Sequence, residues 1–147
     1  MAIKTSTGLR AGMLNTSGVK ELLDGGVIRV LSGTPPATAD AAQTGTVLWT
    51  ISLDGDGTGL VWEVSGAEIS KPDAAVWQGP TAAGTGTYFR VVGSADTGAE
   101  SSSQPRIQGT VGISATNDFV VANATFVTDS SVDARVLGAC GFVLPTL

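Results

Sequence analysis

An all-β fold, specifically an antiparallel β-sandwich of jelly-roll type with a short N-terminal helical segment or arm, is predicted by three observations. Apolar and polar residues alternate over several short runs, the period of a strand with one covered face. Turn signals built from Gly, Pro, Ser, Thr and Asp recur about every ten residues, the spacing of a sandwich or barrel. Eighteen Thr and thirteen Ser among 147 residues favour strands and turns over helix. Strand–helix alternation is missing after the first quarter of the chain, which disfavours a parallel sheet.

Residues 7–24 are the helical candidate. Leu9, Met13, Leu14, Val19, Leu22 and Leu23 recur at spacings of three and four. Asn15-Thr16-Ser17-Gly18 interrupts them, so one or two short helical turns are predicted, with Thr16 or Ser17 as a cap and Gly25 as the stop. The rest of the chain is organised around the stretch Gly25–Ala42. Its glycine pair ends the helix, Val27–Leu31 reads as a strand, and Ser32-Gly33-Thr34-Pro35-Pro36 is a turn that continues neither helix nor ladder.

Val47, Trp49, Ile51 and Leu53 then share one face, with Thr46, Thr50 and Ser52 on the other. Asp54-Gly55-Asp56-Gly57-Thr58-Gly59 turns the chain, and Leu60, Trp62 and Val64 alternate with Val61, Glu63 and Ser65. That predicts a hairpin with Trp49 and Trp62 both in the buried phase. Short strands are predicted around Ile69 and over 75–78. In 87–92, Tyr88, Arg90 and Val92 oppose Phe89 and Val91. Residues 96–105 read as an exposed polar loop. Ile107, Gly109, Val111 and Ile113 alternate with Arg106, Gln108 and Thr110, and apolar runs over 119–127 and 132–144 finish the chain. The whole divides into an arm, 1–26, and a β-sandwich domain, 27–147.

Apolar residues make up 42% of the chain, enough to argue against disorder. The length suits one domain with a sizeable core. Charged residues are 14%, against about 25% in an ordinary soluble domain. Either copies of the chain or a partner cover much of the surface, or hydroxyls and glycines solvate it. The net charge is −5, and the three Lys and five Arg are scattered, so direct nucleic-acid binding is not expected. No stretch nears the roughly 18 apolar residues of a membrane span. Met1–Ser6 lacks the apolar core of a signal peptide, so synthesis in a cytoplasm is expected. Cys140 is the single cysteine; it reads as a small core residue.

The chain has no histidine, which removes Ser-His-Asp and Cys-His catalysis and His-ligated zinc. Asp54–Gly59 resembles a calcium string, but the twelfth position of an EF-hand would be Ser65 rather than Glu. A glycine-rich turn capped by its Asp side chains accounts for it. Glu63, Glu68 and Asp73 could supply the paired carboxylates of a glycosidase, yet no spacing brings a pair together. Trp49, Trp62 and Trp77 could form a carbohydrate platform, although the strand phase of the first two favours the core. Asn123-Ala124-Thr125 matches a glycosylation acceptor that a cytoplasmic chain would not use. No catalytic, cofactor-binding or metal residue is assigned, and no enzyme is expected.

Several segments together resemble small virion structural proteins of tailed bacteriophages. They are Met1–Arg10 with Met13-Leu14, Gly26–Ala41, Tyr88–Val92 continuing through Ala95–Ala99, and Arg106–Gly112. The resemblance implies a virion-associated structural role without a catalytic motif. Within that role the expectation is a capsid cement or decoration protein, binding the major capsid protein and its own copies as a homo-oligomer in the virion. Many symmetric copies would make modest contacts strong. The alternative is a tail or tail-fibre protein with an adhesion role, and a glycan-active enzyme stands behind both. Sandwich edges must be paired or blunted, and the prolines lie between runs. The segment Ala2–Leu14 is therefore expected to dock on a neighbouring copy or on the coat protein.

Overall fold

The alternating runs form strands, and the arrangement is mostly antiparallel β-sheet with two short helices. The structure, a computed structural model, describes residues 3–15, 17–138 and 140–143. In chain order the elements are β1 (Lys4–Thr5), α1 (Thr7–Asn15), α2 (Val19–Leu23), β2 (Val27–Leu31), β3 (Val47–Leu53), β4 (Glu63–Ser65), β5 (Glu68–Ser70), β6 (Trp77–Gly79), β7 (Gly84–Thr85), β8 (Tyr88–Val92), β9 (Arg106–Gly112), β10 (Phe119–Val120), β11 (Thr125–Phe126), β12 (Arg135–Leu137) and β13 (Gly141–Val143). The main sheet runs β1-β9-β8-β2-β3-β6-β12, with β10 added in parallel to β9. Two smaller sheets, β11-β7 and β13-β5-β4, complete the strands.

The helical segment folds as two pieces. Ser6 caps α1, its Oγ accepting the Leu9 N–H at 3.1 Å, which satisfies one of the donors a helix start leaves free. At α2 the cap is Gly18, with no side-chain bond, rather than Ser17; Thr16 lies outside the described residues. Gly25 follows α2 with φ at 79°, the left-handed conformation that glycine adopts without strain. Leu9, Val19 and Leu23 are buried in the same core as the sheet, and β1 pairs with β9 through Lys4↔Gln108 and Thr5↔Ile107.

One face of the sheet carries Ile28, Val30, Trp49, Ile51, Phe89, Val91, Ile107 and Val111, all buried in the core. Trp62 and Trp77 pack edge to face there, centroids 4.8 Å apart, a favoured geometry for aromatic pairs. Trp49 and Trp62 are both buried, Trp49 by its phase on β3 and Trp62 from a stretch outside any strand. Gly79 is needed where β6 crosses β3, because a Cβ there would overlap the carbonyl of Thr50.

The hairpin expected from 47–53 and 60–64 does not form. Both edges of β3 are taken, by β2 through Ile28↔Ile51 and Val30↔Trp49, and by β6 through Ser52↔Gln78 and Leu53↔Trp77. The chain leaving the Asp54–Gly59 turn bonds instead to the glycine pair. Gly25 N–H donates to Leu60 O at 2.7 Å, and Leu60 N–H to Gly26 O at 3.1 Å. Asp24 Oδ1 then receives the Trp62 N–H at 2.8 Å. Leu60 and Trp62 are buried by this route, but Val64 stays exposed on β4, whose partner is β5 across Gly66-Ala67.

The polar face of the sheet is also covered. Arg90, Arg106 and Gln108 alternate as solvent-facing residues would, yet they are buried. Asp96, expected in an exposed loop, is buried with them. The cover is the chain from Gly33 to Thr44, which lies over this face as a strap.

Candidate functional site

The strap is irregular backbone, so its carbonyls need donors from elsewhere. The sheet supplies them from side chains. Cross-strand register places Arg29 opposite Arg90, Arg90 opposite Gln108, and Gln108 opposite Lys4, a row of polar heads on one face. Arg90 Nη2 donates to Ala41 O at 2.8 Å and more weakly to Thr38 O. Its Nε donates to Gln108 Oε1 at 2.8 Å, and Gln108 Nε2 donates on to Pro36 O at 2.9 Å. Tyr88 Oη donates to Thr44 O at 2.6 Å and accepts the Thr44 N–H at 2.9 Å.

Arg106 holds the centre. Its guanidinium grips Asp96 bidentately, Nε to Oδ2 at 2.6 Å and Nη2 to Oδ1 at 2.9 Å. Nη1 reaches Ala39 O and Asp40 O, and Nη2 also reaches Ala99 O at 2.6 Å. Every N–H of that planar fork is used, which a lysine could not reproduce. Burial alone would push the Asp96 carboxyl up, but hydrogen bonds from Arg106 and the Gly98 N–H, with the charges of Arg106 and Arg29, hold it below the usual carboxylate range. Burial and the neighbouring Arg106 push Arg90 down from its ordinary value, with Tyr88 and Asp96 opposing.

Where the strap meets β1 and α1, a surface pocket of about 400 Å³ opens. Ile3, Lys4, Thr5 and Arg10 line one side, Ala37 to Asp40 the other. Lys4 Nζ donates to Ala37 O at 2.9 Å, and Arg10 donates to Thr5 O at 3.0 Å and Thr7 Oγ1 at 3.2 Å. The Asp40 carboxylate accepts both the N–H and the hydroxyl of Thr7, at 2.8 and 2.6 Å. The Thr7 hydroxyl, chiefly, keeps it below its ordinary pKa. Among the described residues Arg10 is the one exposed Lys or Arg, and β1 is the end strand of its sheet.

The residues singled out from the sequence are dispersed. Trp49, Trp62 and Trp77 are buried in the core and present no platform; Arg135 stacks over Trp49 and Phe126 at 4.9 and 4.4 Å. Glu63 and Glu68 are exposed on the β4–β5 hairpin, opposite Ser70 and Ser65, and Asp73 is exposed in the following turn. Asp54 and Asp56 are exposed, and the turn between them is closed by protein, Ser52 Oγ taking the Gly57 N–H at 2.8 Å. Among the described residues no group of three His, Cys, Asp or Glu is placed to hold a metal. Asn123 is exposed, its carbonyl accepting from Arg135. Cys140 is half-buried, and burial pushes its thiol up to about 12.

The strap and the basic row beneath it have no counterpart among the features expected from the sequence. Their signal is faint: three arginines occupy the polar phase of strands in a chain that has only five. Comparison of the chain with protein-family models, with curated proteins and with solved structures finds no match.

Proposed function

We propose that this chain is a structural protein of a tailed-phage virion, a β-sandwich of jelly-roll type that cements or decorates the capsid by binding the coat protein and its own copies. The observation that carries this reading is the surface. Eleven large apolar side chains are exposed among the described residues, Leu14 at 88%, Val127 at 74% and Ile113 at 71% foremost, on a chain only 14% charged. Exposed aliphatics on so uncharged a surface favour contact with other protein. A second support is where the phage-like segments lie. Among the described residues, 3–10, 26–41, 88–99 and 106–112 supply β1, β2, β8 and β9, four consecutive neighbours in the main sheet, together with most of the strap and Asp96. They make one packed unit rather than scattered matches.

The test is cryo-microscopy of intact particles with quantitation of this chain against the coat protein. On the order of hundreds of copies in symmetric positions on the shell are expected. About a dozen copies at the tail would replace the reading by a tail protein, and absence from the particle would end it.

A further inference from the structure

We infer that the pocket between β1, α1 and the strap receives the β4–β5 hairpin of a second copy, joining copies head to tail. The inference rests on the proposed function, in which the chain binds its own copies, and names the surfaces that meet. Charge and position carry it. Among the described residues, the ion pairs within 4.0 Å are Lys20–Asp24 and Arg106–Asp96. Lys4 and Arg10, the two cations of the pocket, therefore meet no carboxylate at ion-pair distance, and their bonds go to carbonyls and a hydroxyl, which leaves N–H donors unspent. Asp40 shares the pocket: its carboxylate accepts from Thr7 and feels the charge of Arg10, which stands beyond ion-pair distance and keeps N–H donors to spare.

The hairpin is the complement. Glu63 faces Ser70 and Glu68 faces Ser65 in the register, so the two residues lie on one face as diagonal neighbours, their backbones roughly 7–8 Å apart. Both are exposed and neither has an ion-pair partner among the described residues. Two anions without ion pairs on one rim and two cations without ion pairs in one pocket are the arrangement that steers and registers association. Position permits it: β4 ends the sheet β13-β5-β4, and β1 ends the main sheet, so neither backbone is shielded by a further strand. Pocket and hairpin are different surfaces, so the contact is heterologous and propagates from copy to copy instead of closing as a two-fold dimer.

The test uses the purified full-length protein, its mass followed by sedimentation against concentration. Association is expected at about 0.01 M salt, where the screening length is ~30 Å, and is expected to be lost at about 1 M, where it is ~3 Å. The variant E63K/E68K should weaken association at least about tenfold while melting as wild type, since both side chains are exposed. K4E/R10E should do the same, and the chain carrying all four changes should regain association. If K4E/R10E does not fold, the hairpin variant alone decides. A monomer at low salt, or association unchanged by E63K/E68K, overturns the contact; particles that such a monomer still decorates would leave the virion reading standing. Loss of particle loading by E63K/E68K while the pure wild type stays monomeric would make coat protein the occupant, and also overturns it.

Discussion

Asp96 and Arg106 show how much one buried pair can carry. Each is almost fully enclosed; they compensate one another, with strap and loop carbonyls around Arg106 and with the Gly98 N–H and the charge of Arg29 acting on Asp96. Removing one partner of such a pair leaves a buried charge alone, at a cost of about 3–5 kcal/mol. Asp96→Asn is therefore expected to lower the unfolding free energy by that order in denaturant titrations. Acid should act on the same group. Because the folded-state pKa lies below the ordinary value of 3.8, its contribution is fully present above that value and is lost as the pH falls through the folded pKa. The wild type should lose stability steeply below about pH 4, and the Asp96→Asn protein should lack that part of the slope. In the core, Trp77→Ala should cost about 3–5 kcal/mol, read by the same titration; a loss under about 1 kcal/mol would show that the Trp62–Trp77 pair is dispensable.

At the scale of elements, the strap is the part whose stability is separable. Arg90→Lys removes the fork that serves Gln108, Thr38 and Ala41 at once, leaving carbonyls without donors at about 1–3 kcal/mol. Hydrogen exchange should quicken over residues 37–42 while amides of β2 and β8 stay protected. The Asp54–Gly59 turn should be indifferent to calcium, since its closing bonds come from Leu53, Ser52 and Gln78. A rise in melting temperature on adding calcium, reversed by a chelator, would contradict this. Strands β3, β8 and β9 were legible from a period of two bounded by turn residues, and β2 from a run rich in Val, Ile and Leu between a glycine pair and a proline turn. Their partners were not. Pairing of β3 with β6 rather than with the residues beyond its own turn depends on contacts distant in sequence, and a local pattern holds no record of them. The strap was hidden for another reason. Arginine on the polar phase reads as solvent-facing whether water or main-chain carbonyls receive its N–H groups. The pocket was illegible likewise, because Lys4, Arg10 and Ala37 meet only after β1 has paired with β9.

Across the whole molecule the N-terminal segment is part of the body. Ser6 is buried, its Oγ donating to Gln104 O at 2.7 Å and accepting the Arg106 N–H at 2.8 Å. Leu9 sits in the core. Deleting residues 2–14 should therefore lower the melting temperature of the isolated protein, and Leu9→Ala alone should cost about 2–5 kcal/mol; an unchanged melting temperature would mean the segment contributes nothing to the body. The way the strap is fastened also bears on what its own residues can become. The sheet grips Pro36, Ala37, Thr38, Ala39, Asp40 and Ala41 by their main-chain oxygens, atoms that every amino acid supplies alike. Ala42, open to solvent and outside the pocket lining, is consequently a position where the chemistry outward can be rewritten without disturbing the grip inward. Foreign side chains, reporter labels or short grafted epitopes placed there would ride on a scaffold indifferent to their identity.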